Sequence, residues 1–444
     1  MKIDSEAAGI LQPAVLPARS HVRWAICAFL FCATVINLLN RQVFGILAGD
    51  LQHTFHWNES QYGYIVGAFQ LAYAIGLAAA GRLIDRTGTR VGYALMIGVW
   101  SLVTIAHGFI RTALGFCAIR FLLGLSEAGN FPASTKSTAE WFPQSERSLV
   151  AGIINAGTNM GVIAAAFIVP WLSIRYGWQS AFIVTGLLGL FWCAWWLHSY
   201  RSPENHKKLS PAEQLLISDG QKQISHTQKQ EPIPWIRLLH YKQLWAFTIA
   251  KLLVDPVWFF YLSWLPKFLA KTYHLAAFGL SLPLIVIYIC SDLGSIAGGW
   301  LPGYFFRKGY PMYKARKMVM FPCALAVLPM VFGAHFNSLA FTVAIVGIAL
   351  AAQQGWSANV YALASDLFPA SAVASVVGFG SMAGSLGATL LAVSVGWVLQ
   401  FTGSYTPFFI YSATAYLIAF LFLQWLAPRF ERVVLPAAPD ATGI

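Results

Sequence analysis

The segment Arg120-Phe-Leu-Leu-Gly-Leu-Ser-Glu127-Ala-Gly-Asn-Phe-Pro-Ala-Ser134 carries a positive and a negative charge inside an apolar run that begins near Ala113. Arg120 and Glu127 are seven residues apart, so on a helix they project from one face, two turns from each other. In a membrane each charge costs roughly 2.5–3.5 kcal/mol on insertion scales. A chain tolerates this cost where the charges face a water-filled cavity or each other. The segment therefore indicates either an ion or substrate path, or a structural ion pair between packed helices.

The composition of the whole chain indicates a membrane protein. Of its 444 residues, 57% are hydrophobic and 10% are charged, whereas charged residues make up about 25% of an ordinary soluble protein. Apolar runs long enough to cross roughly 30 Å of hydrocarbon recur along the chain. They predict an all-α membrane protein with twelve transmembrane helices, here named spans 1 to 12: 24–46, 62–82, 91–110, 113–137, 148–172, 178–198, 243–267, 278–304, 317–335, 338–364, 373–399 and 405–427.

The distribution of basic residues predicts the orientation of the chain. The net charge is +12, and most of the 29 Lys and Arg residues fall in the tails and in the loops that follow even-numbered spans. By the positive-inside rule both termini are cytoplasmic. The basicity thus reflects topology, with some attraction to anionic lipid, and nucleic acid is not an expected partner. All six cysteines lie in apolar spans, so we expect no disulfide framework.

An internal repeat divides the spans into two halves. Shifted by 226 residues, Glu140-Trp-Phe-Pro143 falls on Asp366-Leu-Phe-Pro369, and the same shift places the neutral Gln353 on Glu127. The repeated fold therefore does not itself require that acid, which favours a functional role for it. Three pairs of glycines also coincide: Gly129 with Gly355, Gly152 with Gly378, and Gly161 with Gly387.

The expected organisation is two pseudo-symmetric six-helix halves joined by one polar segment. No cleavable signal pattern precedes span 1, so we expect a multi-pass protein of the inner or plasma membrane. An amphipathic helix is expected near 210–220 in the linker. The predicted regions are a cytoplasmic tail 1–22, a first half 23–199, a cytoplasmic linker 200–242, a second half 243–428 and a cytoplasmic tail 429–444.

Polar residues in the first half suggest a binding cavity. Arg41 lies deep in span 1, where it either snorkels to the interface or lines a cavity; its planar fork suits a carboxylate. Tyr73 in span 2 either presents its hydroxyl as a hydrogen-bond donor in the cavity or packs its ring against other side chains. In span 5, Asn159 and Thr158 lie within one turn of Asn155, and such groups could bond a polyol or bridge helices. Both alternatives stay open.

Three further features lie in the second half. Lys251 and Asp255 are four residues apart in span 7. They form either an internal salt bridge or a pair of functional charges. Asp292, in the middle of span 8, is a second titrating group or a buried acid bonded to backbone. In span 10, near Asn359, Gln353 and Trp356 share a face with Ser357 and offer an aromatic platform for a sugar ring. No His cluster, nucleophile–base pair or phosphate loop is visible, so an enzyme, a metal and a cofactor are not expected.

The loop Gly81-Arg-Leu-Ile-Asp85-Arg86-Thr-Gly88-Thr-Arg90 resembles the loop signature of the major facilitator superfamily, in which ion pairs of this loop form or break as the halves rock. The resemblance covers essentially the whole chain. Within it, the chain resembles the anion:cation symporter family, and especially bacterial hexuronate transporters. The motifs behind this are Asn40-Arg41, Arg120 to Pro132, Glu140-Trp-Phe-Pro-x-x-Glu-Arg147, Asp255-Pro256-x-Trp258, Trp264-Leu-Pro266, Asp292-Leu-Gly-x-x-x-Gly-Gly299-x-Leu-Pro302 and Ser365-Asp366-x-Phe368.

The resemblance implies roles for specific residues. Arg41 would grip the substrate carboxylate, Glu127 would carry the coupled proton, and Arg120 would tune Glu127. Many family members have an acid where this chain has Asn40, so a second proton site at that place is lost. The substrate pocket would be lined by Tyr73, Gln353 and Trp356. Further candidates for contact with the substrate are Asn159 and Asn359. The secondary candidates are Thr158, Lys251, Asp255 and Asp292.

The expected function is proton-coupled uptake of a sugar acid, such as galacturonate or glucuronate, by alternating access. One alternative is symport or exchange of another organic anion, namely an aldonate, an aldarate or another carboxylate. A second alternative is export or exchange of an organic anion without proton coupling. A ligand-sensing receptor is a third possibility, but the linker 200–242 is too short for a signalling domain. The expected partners are the organic anion, protons and the lipid bilayer, and the protein is expected to be a monomer.

Overall fold

The computed structural model describes residues 21–206, 208–217, 238–368, 370–431 and 433. Most of both predicted tails and residues 218–237 of the linker lie outside this set; residues 211–217 of the linker are helical. The twelve spans correspond to these helices: Val22–Ile46 (span 1), Glu59–His107 (2 and 3), Ala113–Glu127 with Asn130–Trp141 (4), Gln144–Tyr176 (5), Trp178–Ser199 (6), Lys242–Tyr273 (7), Ser281–Arg307 (8), Met312–Ala326 with the 3-10 turn Leu328–His335 (9), Leu339–Leu367 (10), Ala370–Thr402 (11) and Thr406–Leu426 (12). A short helix, Ala48–Phe55, connects spans 1 and 2.

Ten of these spans are long and apolar enough to cross a membrane by length and composition. The two others, spans 2 and 4, carry the polar residues that drew attention in the sequence. Span 4 is divided after Glu127 into helices of 15 and 12 residues. Pro132 contributes to this break, because it has no N–H to donate to the carbonyl of Ala128. The predicted all-α architecture of twelve helices in two halves is confirmed.

Spans 2 and 3 are joined by a sharper turn than the sequence predicts. The helix Glu59–His107 continues through the expected gating loop and is interrupted only at Gly88, where φ is 76° and ψ is 158°. Residues with a side chain rarely adopt this positive φ, so glycine is required at the turn. Gly81, in contrast, is helical and has empty space around it. The chain reverses at Gly88.

The internal repeat is visible in how span 5 and span 11 pack. Gly161 of span 5 lies against the backbone of span 1, at Val35 and Leu39. Its counterpart Gly387 lies against Leu252 of span 7, which is the first helix of the second half. Glycine allows the close approach of two helices in both places. Each half therefore packs its fifth helix on its first helix in the same way.

The two halves meet at one end of the bundle, which we call the closed end and define by residues 59–63, 263–267 and 396–400. There Tyr62 donates a hydrogen bond of 2.7 Å to the carbonyl of Ser263, and Lys267 forms an ion pair with Glu59. The linker emerges at the opposite end, the linker end. For Gly152 and Gly378, toward the linker end of spans 5 and 11, no described atom outside their own helix backbone lies within 4 Å of an added Cβ.

The substitution Gly63→Val is expected to lower the melting temperature of the purified protein. An added Cβ at Gly63 would lie 2.9 Å from the Cα of Gly396 in the other half, and overpacking of this kind costs about 1–3 kcal/mol. Gly81→Val is the matched control, because it lies in the same helix with open space around it. Equal melting temperatures for the two variants would contradict the close packing of spans 2 and 11. Thermal denaturation in detergent measures both.

Candidate functional site

The centre of the first half contains a buried ion pair between spans 1 and 4. The Nε of Arg41 lies 3.0 Å from Oε2 of Glu127. Arg41 is 8% exposed and Glu127 is 0% exposed. One alternative from the sequence is an ion pair of Glu127 with Arg120 on its own helix, but the hydrogen-bonded partner of Glu127 is Arg41. The residue expected to hold the substrate and the residue expected to carry the proton are therefore in direct contact.

Aromatic rings hold both arginines of this site in place. The guanidinium of Arg41 lies 4.9 Å from the ring centre of Phe69 and 4.6 Å from that of Tyr73. The guanidinium of Arg120 lies 4.6 Å from the same Phe69 ring and 4.7 Å from Phe44. Such contacts stabilise a desolvated cation. Two positive charges are thus kept close together beside one acid.

Several polar atoms of this site have no hydrogen-bond partner among the described residues. They are Nη2 of Arg41, Nε and Nη1 of Arg120, and Oε1 of Glu127. Buried polar groups in proteins are normally bonded, so an unpaired set at one place indicates a missing partner. Three donor nitrogens suit an anion with several acceptor oxygens, and the free carboxylate oxygen can accept a proton. The arrangement can bind a carboxylate next to a titratable acid.

A second charged cluster, the Lys251 cluster, consists of Lys251, Asp255 and Tyr361 in the second half. The Nζ of Lys251 lies 2.7 Å from Oδ2 of Asp255 and 2.8 Å from the hydroxyl of Tyr361. It also lies 4.0 Å from the ring centre of Tyr361. Lys251 and Asp255 do form the internal salt bridge considered from the sequence. Tyr361 was not predicted, although its spacing of four residues from Ser357 on span 10 is a usable signal.

The remaining predicted residues of span 10 are more buried than expected. Trp356 is 0% exposed and packs edge-on against Tyr416 and Phe420, so neither face is open as a platform in this conformation. Gln353 is also buried, with Oε1 unpartnered. Asn359 donates to the carbonyls of Gly298 and Gly355. The structure therefore gives Asn359 a helix-bridging position, and its contact with substrate stays a prediction.

Asn159 and Asp292 meet across the boundary between the halves. The Asn159 amide donates to the carboxylate of Asp292, which was expected to titrate or to bond backbone. The hydroxyl of Thr158 bonds the carbonyl of Asn155 in its own helix, at 2.6 Å. Asp292 thus links spans 5 and 8, separately from the Arg41–Glu127 pair.

The predicted gating loop lies against neighbouring helices at the linker end. Arg90 donates to the carbonyl of Leu197 at 2.5 Å, and Thr89 donates to Glu140 at 2.6 Å. Arg86 is exposed, and the side chain of Asp85 lies outside the described set. The loop is therefore held within the first half, and its role as a gate latch stays a prediction.

Comparison with known proteins places the chain in a family. Residues 30–359 match the Major Facilitator Superfamily. The hexuronate transporter of Escherichia coli strain K12 is 31% identical over 87% of this chain and 90% of its own length. A probable galactarate/D-glucarate transporter of Bacillus subtilis strain 168 is 30% identical over 95% of this chain and 96% of its own length.

The fold also matches solved structures of the same architecture. The structure of a D-xylose–proton symporter superimposes with a TM-score of 0.72 at 12% identity, covering 92% of this chain and 99% of the other. At that identity the match concerns the fold alone, and it agrees with the twelve-helix arrangement described above. The chain belongs to the Major Facilitator Superfamily of membrane transporters.

Proposed function

We propose that the protein is a secondary active transporter that takes up a sugar acid, a hexuronate such as galacturonate or glucuronate, together with protons. The observation that carries this proposal is the contact between Arg41 and Glu127, with unpaired donors of both arginines beside it. The names of the hexuronate and galactarate/D-glucarate relatives support a sugar acid as the substrate class.

Competition for Arg41 explains how substrate and proton are coupled. When Glu127 is ionised it holds the Nε of Arg41, and the substrate carboxylate must displace it. When Glu127 is protonated, the attraction is lost, and the guanidinium fork is free for two parallel bonds to the substrate. Arg120 adds positive charge nearby. Proton binding and substrate binding then favour each other by the same factor, as linkage requires.

Movement of the halves would carry the occupied site across the membrane. The contacts of the closed end, including the Glu59–Lys267 pair, would separate while the linker end closes. We propose that the linker end is cytoplasmic, in an inner or plasma membrane, and that the Gly81–Arg90 loop acts as the latch there. Exchange of another organic anion without proton coupling is the main alternative.

Uptake into proteoliposomes tests the proposal. Full-length protein is expected to accumulate labelled galacturonate when the outside is more acidic than the inside, because Glu127 then loads protons on the outer side. Galactose, which has no carboxylate for Arg41, is the control and is not expected to accumulate. Uptake that requires a sugar acid preloaded inside the liposomes and is independent of the pH gradient would favour the exchanger. No uptake or exchange of any sugar acid would reject the proposal.

A further inference from the structure

We propose that Tyr62 is a positioning residue that links the positive charge of the central site to the closed end. Within the first half, Tyr62 is connected through Phe44 to the guanidinium of Arg120. It also contacts span 7 of the second half. The charge of Arg120 thereby helps to keep the closed end shut. This inference rests on the proposed function in one respect, because it assumes that the closed end opens during transport.

Two successive contacts lead from Arg120 to Tyr62. The guanidinium of Arg120 lies 4.7 Å from the ring centre of Phe44. The ring of Phe44 is stacked on that of Tyr62, with 5.2 Å between the ring centres and 7° between the planes. All three side chains are buried, and a desolvated cation is attracted to a ring face more strongly than an exposed one. Arg120 therefore stabilises the position of Phe44 against Tyr62.

Tyr62 makes three contacts with the second half. Its hydroxyl donates to the carbonyl of Ser263 at 2.7 Å, and its ring meets the ring of Trp264 edge-on with 4.7 Å between the centres. The Nζ of Lys267 lies 4.7 Å from the centre of the Tyr62 ring and also pairs with Glu59. These contacts are broken when the halves separate at this end. A shift of Tyr62 therefore changes the free energy of opening.

The internal repeat provides a counterpart of Tyr62 that lacks the charge. Shifted by 226 residues, Tyr62 falls on Tyr288, whereas Arg120 falls on Val346. Tyr288 is buried and also bridges the halves, because its hydroxyl accepts a hydrogen bond of 3.5 Å from Gln42 of span 1. Val346 offers no cation. Dependence on the charge of the central site is therefore expected of Tyr62 and not of Tyr288.

The reaction of a buried thiol with a polar maleimide reports how often the closed end opens, since the reagent reaches the thiol in the open form. Ala392→Cys supplies the thiol. Ala392 is 6% exposed and lines a crevice of ≈190 Å³ together with Val66 and Trp264, which lie in spans 2 and 7. The native Cys27 is also buried, and its reaction reports general loosening of the fold. Both rates are followed by mass spectrometry on full-length protein in detergent at one pH.

A set of double variants tests whether the charge acts through Tyr62. Arg120→Gln removes the cation next to Phe44 and is expected to raise the rate at position 392 by about three- to tenfold, with the rate at Cys27 unchanged. Tyr62→Leu should raise the rate by itself, and adding Arg120→Gln to it should have no further effect. Tyr62→Phe loses the bond to Ser263 but keeps the stack, so Arg120→Gln should retain its full effect there.

Tyr288→Leu is the matched control, because it removes the counterpart tyrosine and leaves the contacts between Arg120, Phe44 and Tyr62 in place. Arg120→Gln should therefore retain its effect in this background. If Tyr288→Leu abolishes the effect as completely as Tyr62→Leu does, the link belongs to the packing of the halves in general, and the inference is overturned.

Two further outcomes would overturn the inference: an unchanged rate at position 392 in Arg120→Gln, or an equal increase in the Tyr62 and Tyr62→Leu backgrounds. If Arg120→Gln fails to fold, Phe44→Leu decides, because it keeps the charge but removes the ring between Arg120 and Tyr62. It should raise the rate at position 392 and have no further effect in Tyr62→Leu, and independent effects of the two substitutions would reject the link. Labelling requires no sugar acid, so absence of galacturonate uptake would reject the proposed function separately.

Discussion

A Glu127→Gln protein is expected to exchange substrate across the membrane at a near-normal rate but to lose pH-driven accumulation. Glutamine is neutral at every pH, so the variant resembles the protonated state, in which Arg41 is free. In the unmodified protein, affinity should rise as pH falls, because the proton that neutralises Glu127 releases Arg41. One charge-assisted hydrogen bond contributes about 1.5–3 kcal/mol, so the full pH effect on affinity should be about ten- to a hundredfold. In the variant the affinity should not depend on pH.

Glu213→Gln provides a matched control for this experiment. Glu213 is as buried as Glu127, and it also pairs with an arginine, Arg23, at 3.7 Å, but it lies at the linker end. Its substitution removes a buried acid without touching Arg41, so pH-driven uptake should persist. Counterflow and gradient-driven uptake in proteoliposomes measure both properties. If Glu127→Gln still accumulates galacturonate against its gradient, the coupling proton is bound elsewhere, and Asp292 becomes the leading candidate.

The hydropathy pattern predicts most of the fold, because a membrane-spanning helix must be apolar over about 20 residues whatever its neighbours are. The division into halves follows from the repeat, and the equivalent packing of Gly161 and Gly387 shows it in three dimensions. The break in span 4 was not predicted, although Pro132 was a signal for it. Breaks depend on single backbone hydrogen bonds, which a hydropathy average does not record.

The site was less predictable, because helical periodicity relates residues on one helix and says little about residues on different helices. It placed Arg120 and Glu127 on one face, but the bonded partner of Glu127 is 86 positions away on span 1. Likewise, a polar stripe on span 10 was expected to offer Trp356 as a platform, whereas Trp356 is buried and Tyr361, five residues further along the helix, is exposed. Which side of a helix faces the cavity is decided by packing between helices.

An Arg41→Lys protein is expected to bind galacturonate at least about tenfold more weakly, at a pH where the unmodified protein binds well. The guanidinium of Arg41 combines three properties: a bond from Nε to Glu127, an Nη2 without a partner among the described residues, and contacts with the rings of Phe69 and Tyr73. Lysine keeps the charge but replaces the fork by a point charge, and it cannot form two parallel bonds to a carboxylate. The loss of one charge-assisted bond, about 1.5–3 kcal/mol, sets the size of the effect.

Arg23→Lys and Arg120→Lys show whether this effect belongs to Arg41. Arg23 has the same exposure as Arg41, 8%, and pairs with Glu146 at the linker end, so its substitution should leave the affinity unchanged. Arg120 makes no hydrogen bond to Glu127 among the described contacts, but its Nε and Nη1 are also unpaired. If calorimetry shows a near-normal affinity for Arg41→Lys and a large loss for Arg120→Lys, then Arg120 holds the substrate carboxylate. Arg41 would in that case serve to neutralise Glu127. Substrate binding at Arg120 and proton release from Glu127 would then be coupled through the Phe69 ring, which both guanidiniums contact. They would not be coupled through one guanidinium that binds both carboxylates.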